Sequence, residues 1–186
     1  LGMLAATGNV DEYVDALERS LPCMRHRGPD AAGTWHDGDA AFGFNRLSII
    51  DLEHSHQPLR WGPEDEPDRY AMTFNGEIYN YVELREELKG LGYTFHTEGD
   101  GEPIVVGYHH WGKDVVNHLR GMFGIVIWDT HTKTMFAARD QFGIKPLYYA
   151  TTDAGTVFAS EMKCILEMAD EIGLELNLDR RAIEHY

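Results

Sequence analysis

The chain has 186 residues, 43% hydrophobic and 11% aromatic, enough for one folded domain with a real core. Its net charge of −15 argues against nucleic acid and anionic membrane surfaces, which reward a basic face, and points to a small molecule or another protein. No stretch approaches the roughly 20 apolar residues of a membrane span, and Asp11, Glu12, Asp15 and Glu18 are out of place in a signal peptide.

In chain order, "LGMLAAT" reads as a strand. "VDEYVDALERSLPCMR" places Val14, Leu17, Leu21 and Met24 on one helical stripe, with Asn9 or Asp11 as cap and Pro22 kinking the last turn. "RHRGPDAAG" reads as a loop carrying two arginines. "AAFGFNRLSIIDL" is a mostly apolar strand. "HQPLRWGPEDEPDR" is predicted to be an exposed acidic loop, its three prolines excluding regular structure. "YAMTFNG" is a strand, and "NYVELREELKGLG" a helix with Val82, Leu84, Leu88 and Leu91 inward and Gly90 or Gly92 as stop. "YTFHTE" reads as a short strand. "DGEPIVVGYHHWG" opens a helix with Asp100 as cap and Pro103 in the first turn. Two hairpins follow, one turning at Asp129 to Thr132 and one at Asp153-Ala154-Gly155. "MKCILEMADEIG" is a short helix, and "DRRAIEHY" begins another. Roughly eight strands and four helices without βαβ alternation argue for an α+β domain. Strands apolar on both faces, such as "FGIVIW", suit a sheet covered on both sides. Two such sheets between helices, a four-layer sandwich, is one option among several.

The two cysteines, Cys23 and Cys164, fall on helical stripes and read as packing residues, which makes a disulfide framework improbable and favours a cytoplasmic setting. Among the ten histidines, His54 with His56 and His109 with His110 are the close pairs. No Cys or second histidine pair stands at ligand spacing, so solvated or capping roles are expected and no metal site.

"FNGE" raises a chemical question. Asn-Gly is a strong hairpin signal, yet a helix follows. An isolated Asn-Gly is most often a connecting turn. Here Asn75 has an amide donor, and Gly76 lets its N–H approach a ligand without Cβ interference. Two such donors side by side make a pocket for an oxyanion. Glu77 beside them suits an amine or amide. Arg46 is either a surface salt-bridge partner or a fork for a carboxylate. Asp100 is either a helix cap or a partner for an α-ammonium. Together these groups describe a site for an amino acid with an amide side chain. "RDQFGIKPLYY" brings Arg139, Asp140 and Lys145 together, for which a salt bridge under a tight turn is the expected use.

The ordered motifs "RHRGPD", "FNRLSIIDL", "QPL", "FNGEIYNY", "LRGMFGIVIWD", "ARDQFGIKPLYY" and "FASEMK" resemble the glutaminase domain of class II glutamine amidotransferases, closest to the glutamine-hydrolysing asparagine synthetases. The resemblance implies an N-terminal-nucleophile hydrolase fold, a four-layer αββα sandwich of two antiparallel sheets. It implies hydrolysis of glutamine to glutamate and ammonia, with Asn75 and Gly76 as oxyanion hole. Arg46, with backbone from Leu47, Ile49 and Ile50, would hold the glutamine α-carboxylate. Glu77 and Asp100 would contact its amide or amino end. The family's nucleophile is a cysteine at the mature N-terminus; "LGMLAAT" corresponds to the apolar run after it, so the nucleophile is expected upstream of Leu1 and the chain as given is expected to be inactive. Residues 1–175 would form the glutaminase domain, and 176–186 would begin a linker to a synthetase domain using Mg-ATP. No cofactor is expected in the glutaminase domain itself. The resemblance implies amidation of an acceptor carboxylate, with aspartate as the expected one; members of the family amidate other acceptors, and these residues do not identify it. The resemblance leaves room for a homodimer. Another amidotransferase, or a non-catalytic glutamine-binding module, is the alternative.

Overall fold

The computed structural model describes residues 10–46, 57–177 and 181, together with the backbone of residues 2–7. Among them, nine strands form two antiparallel sheets. The first sheet has the order β2 (Ala31–His36), β3 (Ala40–Arg46), β1 (Gly2–Thr7), β9 (Gly155–Ala159), β8 (Tyr148–Thr152). The second has the order β4 (Leu59–Trp61), β5 (Tyr70–Ile78), β6 (Gly121–Asp129), β7 (Thr134–Arg139).

Three buried clusters define four layers. Helices α1 (Val14–Ser20) and α4 (Met162–Glu167), with Met24 of the 3-10 turn that follows α1, cover the first sheet through Leu17, Cys164 and Ile165, packed against Ala41, Val157 and Ala159. Helices α2 (Tyr81–Gly90) and α3 (Glu102–Trp111) cover the second through Leu84, Leu88, Ile104 and Val105, packed against Met72, Phe74, Ile125 and Ile127. Between the sheets lie Ala40 and Phe42 of β3, Ala71 of β5, and Val126 and Trp128 of β6. Strand alternation produces this division, since neighbouring residues point to opposite faces. The strands apolar on both sides are therefore those with helices on one face and a sheet on the other. The αββα arrangement implied by the resemblance is the one observed.

Several local expectations are corrected. The loop "RHRGPDAAG" gives way to β2 at Ala31. The supposedly irregular acidic loop contains edge strand β4, whose three residues fit between Pro58 and Pro63. Residues 93–98 form no strand. Their backbone groups bond to side chains: Glu102 accepts from His96 and Thr97 N–H, and Arg85 donates to the Thr97 and Gly99 carbonyls. The residue before α1 is Tyr13, without a side-chain cap; Asp11 instead faces His36. Asn9 lies outside the described residues. Pro22 starts a separate 3-10 helix, Leu21–Arg27. In α2, Leu84 and Leu88 are buried, but Val82 and Leu91 are exposed and Arg85 takes a buried place. Gly92, at φ +99°, is the stop. The 109–110 histidines are neither capping nor purely solvated: His109 pairs with the Tyr70 hydroxyl and His110 with that of Tyr93. No described helix is long and apolar enough to cross a membrane.

Candidate active site

Strand β5 carries the central residues. It runs unbroken through Asn75 and Gly76 to Ile78, with Asn75 opposite Gly124 and Gly76 opposite Phe123 on β6. The dipeptide therefore reverses nothing. Gly76 is required by the neighbouring strand. A Cβ built there would fall 2.1 Å from the Met122 carbonyl oxygen.

The backbone of β5 has two differently used edges. Tyr79 N–H donates to the Arg120 carbonyl, so odd-numbered residues aim their polar groups towards β6. Phe123 exchanges bonds with Asp140 on its other side, which leaves Gly76 and Phe123 facing each other without hydrogen bonds. Even-numbered residues thus aim their polar groups towards the β4 edge, and β4 pairs only as far as Met72. Beyond it, side chains substitute for a strand. The Gln57 amide donates to the Phe74 carbonyl at 2.8 Å and accepts from its N–H at 3.2 Å. Two residues past Gly76, Ile78 N–H donates to Asp100 Oδ2 at 2.9 Å. Gly76 N–H lies between these two closures, on the same edge.

Side-chain alternation puts Asn75 and Glu77 on the face that looks across to the first sheet. Asn75 is buried, and its Nδ2 donates to the Ser160 hydroxyl at 3.3 Å. Ser160 directly follows β9 and is itself fully buried. Glu77 is exposed beside it. Arg46 ends β3 on the same inward face as Ala40 and Phe42, and is 8% exposed. The two sides meet around the start of β1. Gly2 pairs with Asn45 and Leu4 with Ala159, so the beginning of β1 runs between Arg46 and Ser160. Two strand spacings place those backbones roughly 10 Å apart. Strand β1 also packs across the gap against β5.

Asp100 is not the cap of α3: Gly101 takes that position without a side-chain bond, although Pro103 does stand in the first turn. Its carboxyl is pushed above the usual range, first by burial and also by the nearby Glu77 carboxylate, against the stabilising bond from Ile78 N–H. Two acidic groups therefore sit together at the rim beyond Gly76. Arg85 and Glu102 hold the preceding coil from both sides and so fix Asp100.

The structure thus brings Arg46, Asn75, Gly76, Glu77 and Asp100 to one end of the sandwich. Leu47, Ile49 and Ile50 lie outside the described residues. Cys164 is fully buried, and burial pushes its thiol up to about 12, leaving it no thiolate for attack at neutral pH. Asp140 and Arg139 form no salt bridge with each other or with Lys145 among the described residues. Asp140 accepts from the N–H groups of Phe123, Phe142, Ile144 and Lys145, while Arg139 donates to the Gly143 and Lys145 carbonyls. Sequence reasoning missed Ser160 and Gln57. Ser160 is legible only as a polar residue in register with inward-facing Phe158; nothing local signals Gln57.

Known proteins resemble this chain in sequence and in fold. Residues 1–186 match the glutamine amidotransferase domain family. A Mycobacterium tuberculosis protein, provisionally named a glutamine-hydrolysing asparagine synthetase, is 58% identical over 94% of this chain and 28% of its own length. Bacillus subtilis asparagine synthetase [glutamine-hydrolyzing] 1 is 43% identical over 98% of this chain and 27% of its own. The chain therefore spans under a third of the length of these relatives. The solved glutamine phosphoribosylpyrophosphate amidotransferase from B. subtilis superposes with a TM-score of 0.69 at 21% identity, over 93% of this chain and 44% of that one. An allosteric regulatory enzyme of purine biosynthesis gives 0.72 at 19% identity, over 91% and 43%. These two establish the likeness of fold, and the profile match over the whole chain establishes the family: this chain belongs to the glutamine amidotransferase domain family.

Proposed function

We propose that this domain hydrolyses glutamine to glutamate and ammonia, and that the longer protein uses the ammonia to amidate a carboxylate, most simply that of aspartate. The observation that carries the reading is the convergence of Asn75, Gly76 and Arg46 beside the start of β1. Arg46 provides a two-donor fork for the α-carboxylate. Asp100 and Glu77 provide negative charge for the α-ammonium. The nucleophile is the cysteine that the resemblance places ahead of Leu1. Its sulfur attacks the δ-carbon of glutamine while its own α-amine takes up the thiol proton. The oxyanion is held by Asn75 Nδ2–H and Gly76 N–H. The C–N bond breaks, and the proton leaves with ammonia. Water then cleaves the thioester and releases glutamate. Gly76 suits its part because Gln57 and Asp100 occupy the flanking backbone positions, so its N–H is held in a fixed direction before substrate arrives.

The amidation step is assigned to the remaining length of the protein, together with the Mg-ATP it requires to activate the acceptor carboxylate. Residues 1–175 form the glutaminase unit in this reading, and 176–186 lead out of it. The test is glutamate and ammonia release from glutamine by the full-length protein. The expected result is steady hydrolysis, with Arg46→Met raising KM about tenfold or more, as expected for loss of a charge-assisted pair. Absence of hydrolysis by the folded full-length protein would refute the proposal.

A further inference from the structure

We infer that Ser160 is a positioning residue for the oxyanion hole, acting through the Asn75 amide rather than on the substrate. The inference rests on the proposed glutaminase reading and adds to it a residue from the opposite sheet.

Asn75 belongs to β5 of the second sheet, and Ser160 directly follows β9 of the first. Their 3.3 Å hydrogen bond crosses the gap between sheets, and both residues are buried, at 3% and 0% exposure. A primary amide has two N–H groups at a fixed angle in one plane. Fixing one on the Ser160 hydroxyl therefore aims the other. Without that anchor one restraint on its last torsion, which is broad for asparagine, is gone. Part of the donor's preorganisation is then lost, although the donor itself remains.

Ser160 also stands where the two halves of the site must keep a constant separation. Ala159, its neighbour, pairs with Leu4 of β1. The Ser160 backbone thus travels with the first strand, while its side chain holds a group on the second sheet. One residue ties the start of β1 to Asn75. A hydroxyl in a fully buried position otherwise invites replacement by an apolar residue, since an apolar core has no use for it. The strand-mates Val157 and Ala159 face the helices, whereas Phe158 and Ser160 face the second sheet. At this place on the inner face a polar group meets a polar group.

The test uses the full-length protein and compares Ser160→Ala, Ser160→Cys, Asn75→Ala and the double variant Asn75→Ala/Ser160→Ala. Ser160→Ala should lower kcat for glutamine about tenfold while KM stays within roughly twofold, the size expected for one hydrogen bond acting in the transition state. Ser160→Cys keeps the side-chain shape with a somewhat larger atom that accepts poorly, so it should fall alongside alanine; it also carries the test if the alanine variant fails to fold. In the Asn75→Ala background, removing the hydroxyl should change kcat no further. A wild-type kcat in Ser160→Ala, full recovery in Ser160→Cys, or an equal additional fall in the double variant would overturn the inference while leaving the glutaminase reading intact. A wild-type protein without glutaminase activity would overturn both.

Discussion

Two Xaa-Gly pairs tie the sandwich together at opposite ends, and only one of them turns the chain. Asp37-Gly38 joins β2 to β3, with Gly38 at φ +90° and open space around it. The Asp37 carboxylate accepts from Asp39 and Ala40 N–H and, across the sheets, from Trp128 Nε1 at 2.8 Å. Asn75-Gly76 lies inside β5 and also reaches across the sheets, to Ser160. The first pair uses glycine for its backbone angle; the second uses it for the absence of a side chain. Local sequence makes them near equivalents. What separates them is the strand alongside: β6 approaches Gly76 so closely that only hydrogen fits, whereas Gly38 faces solvent.

The largest expected effect comes from placing a methyl group at each glycine. Gly76→Ala should cost about 3 kcal/mol or more, because the added carbon collides with backbone rather than with a movable side chain. Gly38→Ala should cost only about 1–2 kcal/mol, the penalty for a non-glycine residue at positive φ. Urea unfolding of both variants measures this. Equal losses, or the reverse order, would erase the distinction.

A second effect contrasts the carboxylates at the two ends. Burial alone would raise the Asp37 carboxyl, but bonds from Trp128 and from the Ala40 and Asp39 N–H groups outweigh it and hold it below the usual range. Its stabilising contribution is therefore complete above about pH 4, the ordinary carboxyl value, and disappears as pH falls through the lowered one. The destabilisation caused by Asp37→Ala should shrink correspondingly in acid. Asp100 is shifted upward, mainly by burial, so it costs stability as pH rises through its ordinary value towards the raised one. Its ionised form is the one that attracts an ammonium. KM for glutamine should rise as pH falls through that raised value, and Asp100→Asn should flatten the profile while raising KM about tenfold near neutral pH. A wild-type pH profile in Asp100→Asn would remove Asp100 from the substrate's amino end.

This contrast also shows where sequence reasoning works. The two downstream hairpins and the alternation that assigns faces were legible, because each depends on residues close in the chain. The αββα layering came with the family resemblance, and periodicity alone left it as one option. The Asp-Gly hairpin and β2 were passed over although their signal is local. The strand expected at 93–98 failed because two buried side chains, Arg85 and Glu102, supply the bonds a neighbouring strand would have supplied. Asp100 looked like a cap since it precedes Pro103 by three residues; the nearby Ile78 N–H claims it instead. The candidate site residues stood out as chemical types, yet Ser160 did not, because its link to Asn75 is a contact 85 residues away along the chain.

In the proposed reaction Asn75 stabilises a charge that exists only during turnover. The most direct measurement is kcat for glutamine hydrolysis by full-length Asn75→Ala against the unmodified protein. A fall of about 10²- to 10³-fold in a folded variant is the predicted result. An unchanged kcat in that folded variant would contradict it.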